Sequence, residues 1–229
     1  MSENKQKLEA LYPFLSGETK DPEKENKSLL DSVLIKANDS VLVNQAYFSK
    51  NAEALVDTAK TISTVYKNNG RLFTMGNGGS SCDASHIAVE FLHPVTAGRP
   101  ALTAINLVAD TAMMTAVSND IGYKHIYVRQ LEALARKGDC LIGISTSGNS
   151  ENLIAAFNKA KKMGLNTIGL TGTNGGHMAG ENFLDHCLVV ETDSIHRIQE
   201  CHVATYHILW DLVHTILADA RGDIGEYEL

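Results

Sequence analysis

Between residues 71 and 190 the chain alternates short apolar runs with amphipathic segments, and this alternation constrains its fold more than any other feature. The apolar runs fall at 71–75, 101–108, 140–144, 167–170 and 187–190. Between them, segments at about 80–93, 110–118, 126–136 and 151–163 carry apolar residues three and four apart, the period of a helix. Strands separated by helices pair in parallel, because each helix carries the chain back to the same end of the sheet. The pattern therefore predicts an α/β fold built from βαβ units around a mostly parallel sheet.

Helical patterns flank this block. From Lys27 to Asn69 the apolar residues are Leu29, Leu30, Val33 and Leu34, then Leu42, Val43 and Ala46, then Ala52, Leu55, Val56, Ala59 and Ile62. These spacings predict two helices or one broken helix, ended by the turn signal Asn68-Asn69-Gly70. A last helix over 194–220 carries Ile208, Leu212 and Ile216 beside Leu209, Val213 and Leu217, a stripe wide enough to be covered on two sides. Residues 1–26 are polar and interrupted at Pro13 and Pro22, and read as an N-terminal arm, partly helical around 8–15. The expected organisation is that arm, a single domain over 27–220 with a helical N-terminal layer, and a tail over 221–229.

Charge and composition exclude several functions. The 27 acidic residues outnumber the 20 basic ones, for a formal charge of −7, and no Lys/Arg run offers a patch for nucleic-acid phosphates. No apolar run approaches the ~20 residues of a membrane-spanning helix, and Met1-Ser2-Glu3-Asn4-Lys5 leads into no signal core. A cytoplasmic protein with no membrane or nucleic-acid partner is expected. Cys82, Cys140, Cys187 and Cys201 lie far apart with no C-x-x-C pair, and read as reduced, mostly buried thiols. An acidic chain can still bind a small phosphorylated molecule, because backbone amides supply positive potential.

Ligands of parallel sheets bind beyond the carboxyl ends of the strands. Three such ends are rich in small and hydroxyl residues: Gly76-Asn77-Gly78-Gly79-Ser80-Ser81, Ser145-Thr146-Ser147-Gly148-Asn149-Ser150 and Thr171-Gly172-Thr173-Asn174-Gly175-Gly176. The second joins a strand to a helix N-terminus, where free N–H groups and the helix dipole favour an anion such as a phosphate monoester. Its bland alternative is a simple N-cap at Ser150. Neither a nucleotide P-loop nor G-x-G-x-x-G is present.

Groups able to do chemistry sit on the flanking helices. His86 and Glu90, four apart, share a face, and Glu90 lies among Ile87, Ala88, Val89, Phe91 and Leu92. A carboxylate there is expected to be partly desolvated, a setting that suits a general base. The last helix adds Gln199, His202 and His207, and a His/Glu pair with further histidines is also a zinc set. The same pair reads equally as a solvated ion pair. His93, His125, His177, His186 and His214 read as structural, and Cys82 as a packing or helix-start residue. Gln199 and His207 are eight apart, roughly 12 Å along a helix and about 80° around it, so both meet one small ligand only by reaching along the axis or from different subunits.

Together, Gly76-Asn77-Gly78-Gly79-Ser80, Asp83, His86-x-x-x-Glu90, Ser118-Asn119-Asp120, Gly143-Ile144-Ser145-Thr146-Ser147-Gly148-Asn149-Ser150 and Arg197-Ile198-Gln199-Glu200-x-His202 resemble the sugar-isomerase (SIS) fold. More narrowly, the chain resembles the sedoheptulose 7-phosphate isomerase (phosphoheptose isomerase) family over roughly residues 40–218. The resemblance implies a flavodoxin-like three-layer sandwich, α/β with a central five-stranded sheet, plus N-terminal helices. It implies that Asn77, Gly78, Gly79, Ser80, Asn119, Asp120, Ser145, Thr146, Ser147 and Ser150 surround a sugar phosphate, with Glu90 and Gln199 also touching substrate. It further implies zinc held by His86, Glu90, Gln199 and His207, Glu90 as base and His207 as acid, and a homotetramer with shared active sites. The implied reaction is an aldose–ketose isomerisation through an enediol, the first step of nucleotide-activated heptose biosynthesis. Two departures stand out: the family's Gly-Arg-aromatic-Arg segment after the Glu helix is replaced by a stretch ending in Gly98-Arg99, and His196 stands where some members have Asp. The competing readings are a noncatalytic SIS-type binding protein, such as the relative that associates with a replication initiator, and an isomerase of another sugar phosphate.

Overall fold

The computed structural model describes residues 22–96 and 98–219. The expected helix around 8–15 and the tail over 221–229 lie outside the described residues. The described residues fall into two compact units divided after Val41. In the first, helical residues Leu29, Leu30, Val33, Leu34 and Ile35 are all exposed.

Helix α1 (Pro22–Lys67) is a single helix where two or a broken one were expected. Between its first and last turns it contains neither proline nor glycine, so nothing in the backbone forces a break. Its first residue, Pro22, suits a position whose N–H has no intrahelical partner.

The second unit holds strands β1 (Leu72–Gly76), β2 (Ala104–Asn106), β3 (Cys140–Ser145), β4 (Asn166–Gly172) and β5 (His186–Val190). They form one sheet in the order β2-β1-β3-β4-β5, every pair parallel. The order reverses between β1 and β3, and the crevice above that switch point is where such sheets take ligands.

Helices α2 (Gly79–Leu92), α3 (Thr111–Ile121), α4 (Ile126–Leu134), α5 (Glu151–Met163), α6 (Gly176–Gly180) and α7 (Ile195–Asp219) complete the described elements, with a short 3₁₀ turn at Tyr123–His125. Strand residues alternate between two cores. Leu72, Cys140, Ile142, Ile168 and Leu170 pack with Leu55, Ala59 and Ile62 of α1, Ile87 and Phe91 of α2, and Leu209 and Val213 of α7. Phe73, Met75 and Leu141 face the other way, onto Ile126, Tyr127 and Leu131 of α4 and Leu153, Ala156 and Phe157 of α5. This is the expected three-layer sandwich, and strands so buried on both faces read as continuous apolar runs.

β2 is shorter than the expected 101–108. The Leu102 amide donates to the Phe91 carbonyl instead of joining the sheet, and beyond Asn106 the chain turns, with the Val108 amide donating to Asn106 Oδ1. On α7, Leu209, Val213 and Leu217 are buried, Leu212 and Ile216 are half-buried against the same core and Ile208 is 38% exposed, so among the described residues the second side of the expected stripe is covered in part. Cys140 and Cys201 are buried, but Cys82 is exposed in the first turn of α2, which removes its packing role.

Candidate active site

α2 and α7 run side by side in the same direction, matched at a step of seven residues and then one of four: Gln199 meets Gly79, Tyr206 meets His86, and Trp210 meets Glu90. A seven-residue step returns almost to the same face of a helix. Along this seam the structure gathers most of the expected chemistry.

His86, Glu90 and His207 form one cluster whose ligating atoms all lie within 4.8 Å of one another. His86 Nε2 is 3.0 Å from Glu90 Oε1, an i,i+4 pair in which the ring donates to the carboxylate. The His86 and His207 rings stand edge to face with centroids 5.0 Å apart. The Glu90 side chain is 20% exposed, so it is partly desolvated yet reachable. Two imidazole nitrogens and a carboxylate oxygen are the donor types that zinc takes at about 2 Å, which puts the donors of a tetrahedral set roughly 3–4 Å apart. The cluster fits such an ion.

Gln199 stands at the other end of the seam. A Cβ on Gly79 would lie 2.6 Å from its amide nitrogen, so the Gln199 side chain lies directly against this glycine and would have to shift for a larger residue. Within one protomer, roughly 12 Å of helix separates Gln199 from His207. His202, grouped with them by sequence, is fully buried and stays out of the cluster: its Nε2 donates to the Thr171 carbonyl at 3.1 Å.

The loop after β3 fits an anion better than a capped turn. Ser150 occupies the N-cap of α5 but makes no side-chain cap, since its Oγ hydrogen-bonds to Ser145 Oγ at 3.0 Å. The helix therefore keeps amides free of any side-chain cap, beneath Thr146 and the exposed Ser147. Gly148 has φ +65, and a Cβ there would collide with the Gly175 carbonyl. The third loop serves this second one as a brace: Asn149 Oδ1 accepts from the His177 amide at 3.0 Å, and the Gly148 carbonyl accepts from the Met178 amide at 3.1 Å.

The loop after β1 opens with Asn77, whose side chain is held in place by the protein. Its Oδ1 accepts from Asn152 Nδ2 at 2.8 Å and from the Tyr123 hydroxyl at 2.9 Å, and its Nδ2 donates to Asn152 Oδ1. The Tyr127 hydroxyl secures the neighbouring Gly76 carbonyl at 2.5 Å. Gly78 and Gly79 are exposed above these ties, while Ser80 is buried beneath them. Asn119 and Asp120 are exposed at the end of α3, joined to each other at 2.9 Å, just before Tyr123.

Sequence reasoning missed Asn152, Tyr123, Tyr127 and Tyr206, which brace the site from other elements. Tyr206 is 3% exposed, with its hydroxyl 2.8 Å from His86 Nδ1. Burial pushes its phenol up, aided by the Asp83 and Glu90 carboxylates, so it remains a neutral hydroxyl. Burial also raises the Asp83 carboxyl above its ordinary range, partly opposed by His86. Arg99 reaches the flank of the site: its guanidinium lies 4.3 Å over the Trp210 ring and donates to Asp211 at 2.6 Å. His196 is exposed in the first turn of α7.

The SIS domain family model matches residues 37–172. The phosphoheptose isomerase of Desulfovibrio desulfuricans is 40% identical over 203 residues, covering 88% of this chain and 95% of that protein. That of Aneurinibacillus thermoaerophilus is 46% identical over 149 residues, 65% of this chain and 74% of the relative. Among solved structures, phosphoheptose isomerase GmhA from Neisseria gonorrhoeae superposes with a TM-score of 0.76 at 35% identity, over 82% of this chain and 99% of that one. A parallel α/β sandwich with glycine and serine loops above its switch point and a His/Glu/His cluster beside them defines a SIS-type sugar isomerase. The chain belongs to the SIS domain family and, within it, to the phosphoheptose isomerase family.

Proposed function

We propose that the chain interconverts sedoheptulose 7-phosphate and D-glycero-D-manno-heptose 7-phosphate, the entry reaction to nucleotide-activated heptoses. The observation that carries this reading is the convergence of Glu90 and His207 in one cluster on the seam that starts at the glycine loop. His86 lies roughly 10 Å along α2 from Gly79, a separation suited to a seven-carbon chain held by its phosphate.

Ser145, Thr146, Ser147, Ser150 and the first amides of α5 hold the phosphate, with Asn77, Gly78, Gly79, Ser80, Asn119 and Asp120 around the sugar. Glu90 takes a proton from C1 of the ketose and returns it to C2, while His207 moves a proton between the two oxygens as the enediol forms and collapses. The phosphate grip contributes by positioning, since binding energy gained far from the reacting carbons is spent there. His86, Glu90 and His207, with Gln199, would hold a zinc ion, whose chemistry is Lewis-acid polarisation of a carbonyl oxygen.

The proposal includes a cytoplasmic homotetramer with shared sites. Two observations support assembly: the exposed Leu30, Val33 and Leu34 of the first unit, and the position of Gln199 away from its own protomer's His207. No described helix is long and apolar enough to cross a membrane.

Incubating purified protein with sedoheptulose 7-phosphate, with and without zinc, tests the reading. Formation of the aldose phosphate is expected. Absence of turnover in every metal state would favour a noncatalytic binding protein, and turnover confined to another sugar phosphate would change the substrate.

A further inference from the structure

The phenol of Tyr206 sits behind His86 on the side away from Glu90. Its ring belongs to the core shared by α1, α2 and α7, and the residue is only 3% exposed. The rings of His86, Tyr206 and His207 form a triangle, each pair edge to face, with centroid distances of 5.2, 5.0 and 4.8 Å. Two hydrogen bonds then define that ring: Nε2 to Glu90 Oε1 at 3.0 Å and Nδ1 to the Tyr206 hydroxyl at 2.8 Å.

We propose that Tyr206 is a positioning residue, whose hydroxyl fixes the tautomer and orientation of His86 both before and after His86 engages an ion.

A hydroxyl can do what a carboxylate or a carbonyl cannot. Ligating histidines commonly give their second N–H to a carboxylate or a backbone carbonyl, either of which only accepts. A phenol both donates and accepts. In the arrangement seen, the carboxylate of Glu90 takes the proton on Nε2, leaving Nδ1 to accept from the phenol. When Nε2 turns its lone pair to an ion, the proton resides on Nδ1 and the phenol oxygen accepts it. The ring keeps the same buried partner in both states, so it need not reorient as the site loads. This inference deepens the reading of the site given above and rests on it for the ion-binding consequence alone.

Tyr206→Phe tests it, because the ring's packing is kept and only the hydroxyl is lost. Nitrogen NMR of the histidine rings in metal-free protein, with His86 identified by its absence in His86→Asn, reports the tautomer directly. Wild type should show a single tautomer with the proton on Nε2, and Tyr206→Phe a mixture of both. Zinc affinity, measured with zinc alone against a competing chelator, should fall about 10- to 100-fold in Tyr206→Phe. An unchanged His86 spectrum in Tyr206→Phe would overturn the proposal, as would the same zinc affinity in both proteins. Should wild type bind no zinc, the metal reading fails separately and the ring spectrum alone decides the role of Tyr206.

Discussion

The Trp210 indole supplies Glu90 with a hydrogen bond that the local backbone cannot. In a continuing helix the Glu90 carbonyl would accept from the amide of residue 94, but that residue is Pro94, which has no N–H. Trp210 Nε1 donates to that carbonyl at 2.8 Å, tying the end of α2 to α7. The residue assigned as base is thereby held in register with the helix that carries His207.

Trp210→Phe should keep most of the apolar contact and lose this bond. Leaving a carbonyl unsatisfied at a largely buried site costs about 1–3 kcal/mol. Urea unfolding should show a loss of that size, and turnover should fall severalfold with little change in KM, because the substrate grip lies at the other end of α2. Unaltered stability and turnover would show that α7 is held without the indole.

Gly148→Ala tests the brace between the second and third loops. Alanine at φ +65 is strained, and its methyl group would press on the Gly175 carbonyl. The loops must part, which disturbs the phosphate grip first. KM for the sugar phosphate should rise about 10-fold or more, equivalent to about 1.4 kcal/mol of binding, with a lower melting temperature.

His202 gives the fold an acid sensitivity with a defined sign. Burial pushes its ring down to about 4, partly opposed by its bond to the Thr171 carbonyl. The unfolded chain takes up that proton near pH 6.5. Between those values the unfolded state binds a proton that the folded state refuses, so this contribution to stability is complete above pH 6.5 and declines as pH falls toward 4. The loss amounts to at most about 3 kcal/mol. His202→Gln, which can still donate to Thr171, should flatten the difference between unfolding at pH 7 and at pH 4.5. An equally steep decline in the variant would assign the sensitivity to other groups.

Local chemistry made much of this legible. α5 spans the expected 151–163, because Ser145 to Ser150 mark its start and Gly164 in the left-handed region ends it. The His86–Glu90 pair follows from helical spacing alone. Other features depend on where separate elements meet. Nothing near Tyr206 in the chain indicates that its hydroxyl meets a ring 120 residues earlier, and nothing near Asn77 indicates that Asn152, 75 residues on, holds its amide in place. The hydroxyl-rich third loop resembles the second in composition, yet its contacts with Asn149 and Gly148 make it a support.

The most direct test of the account follows the carbon-bound proton itself. Wild type and Glu90→Gln are incubated with sedoheptulose 7-phosphate in deuterium oxide, each with and without zinc, and deuterium at C1 and C2 is read by NMR. The account predicts exchange and aldose formation in wild type, and a loss of both by about 10²- to 10⁴-fold in Glu90→Gln, with sugar-phosphate binding retained. Exchange at the wild-type rate in Glu90→Gln would contradict it.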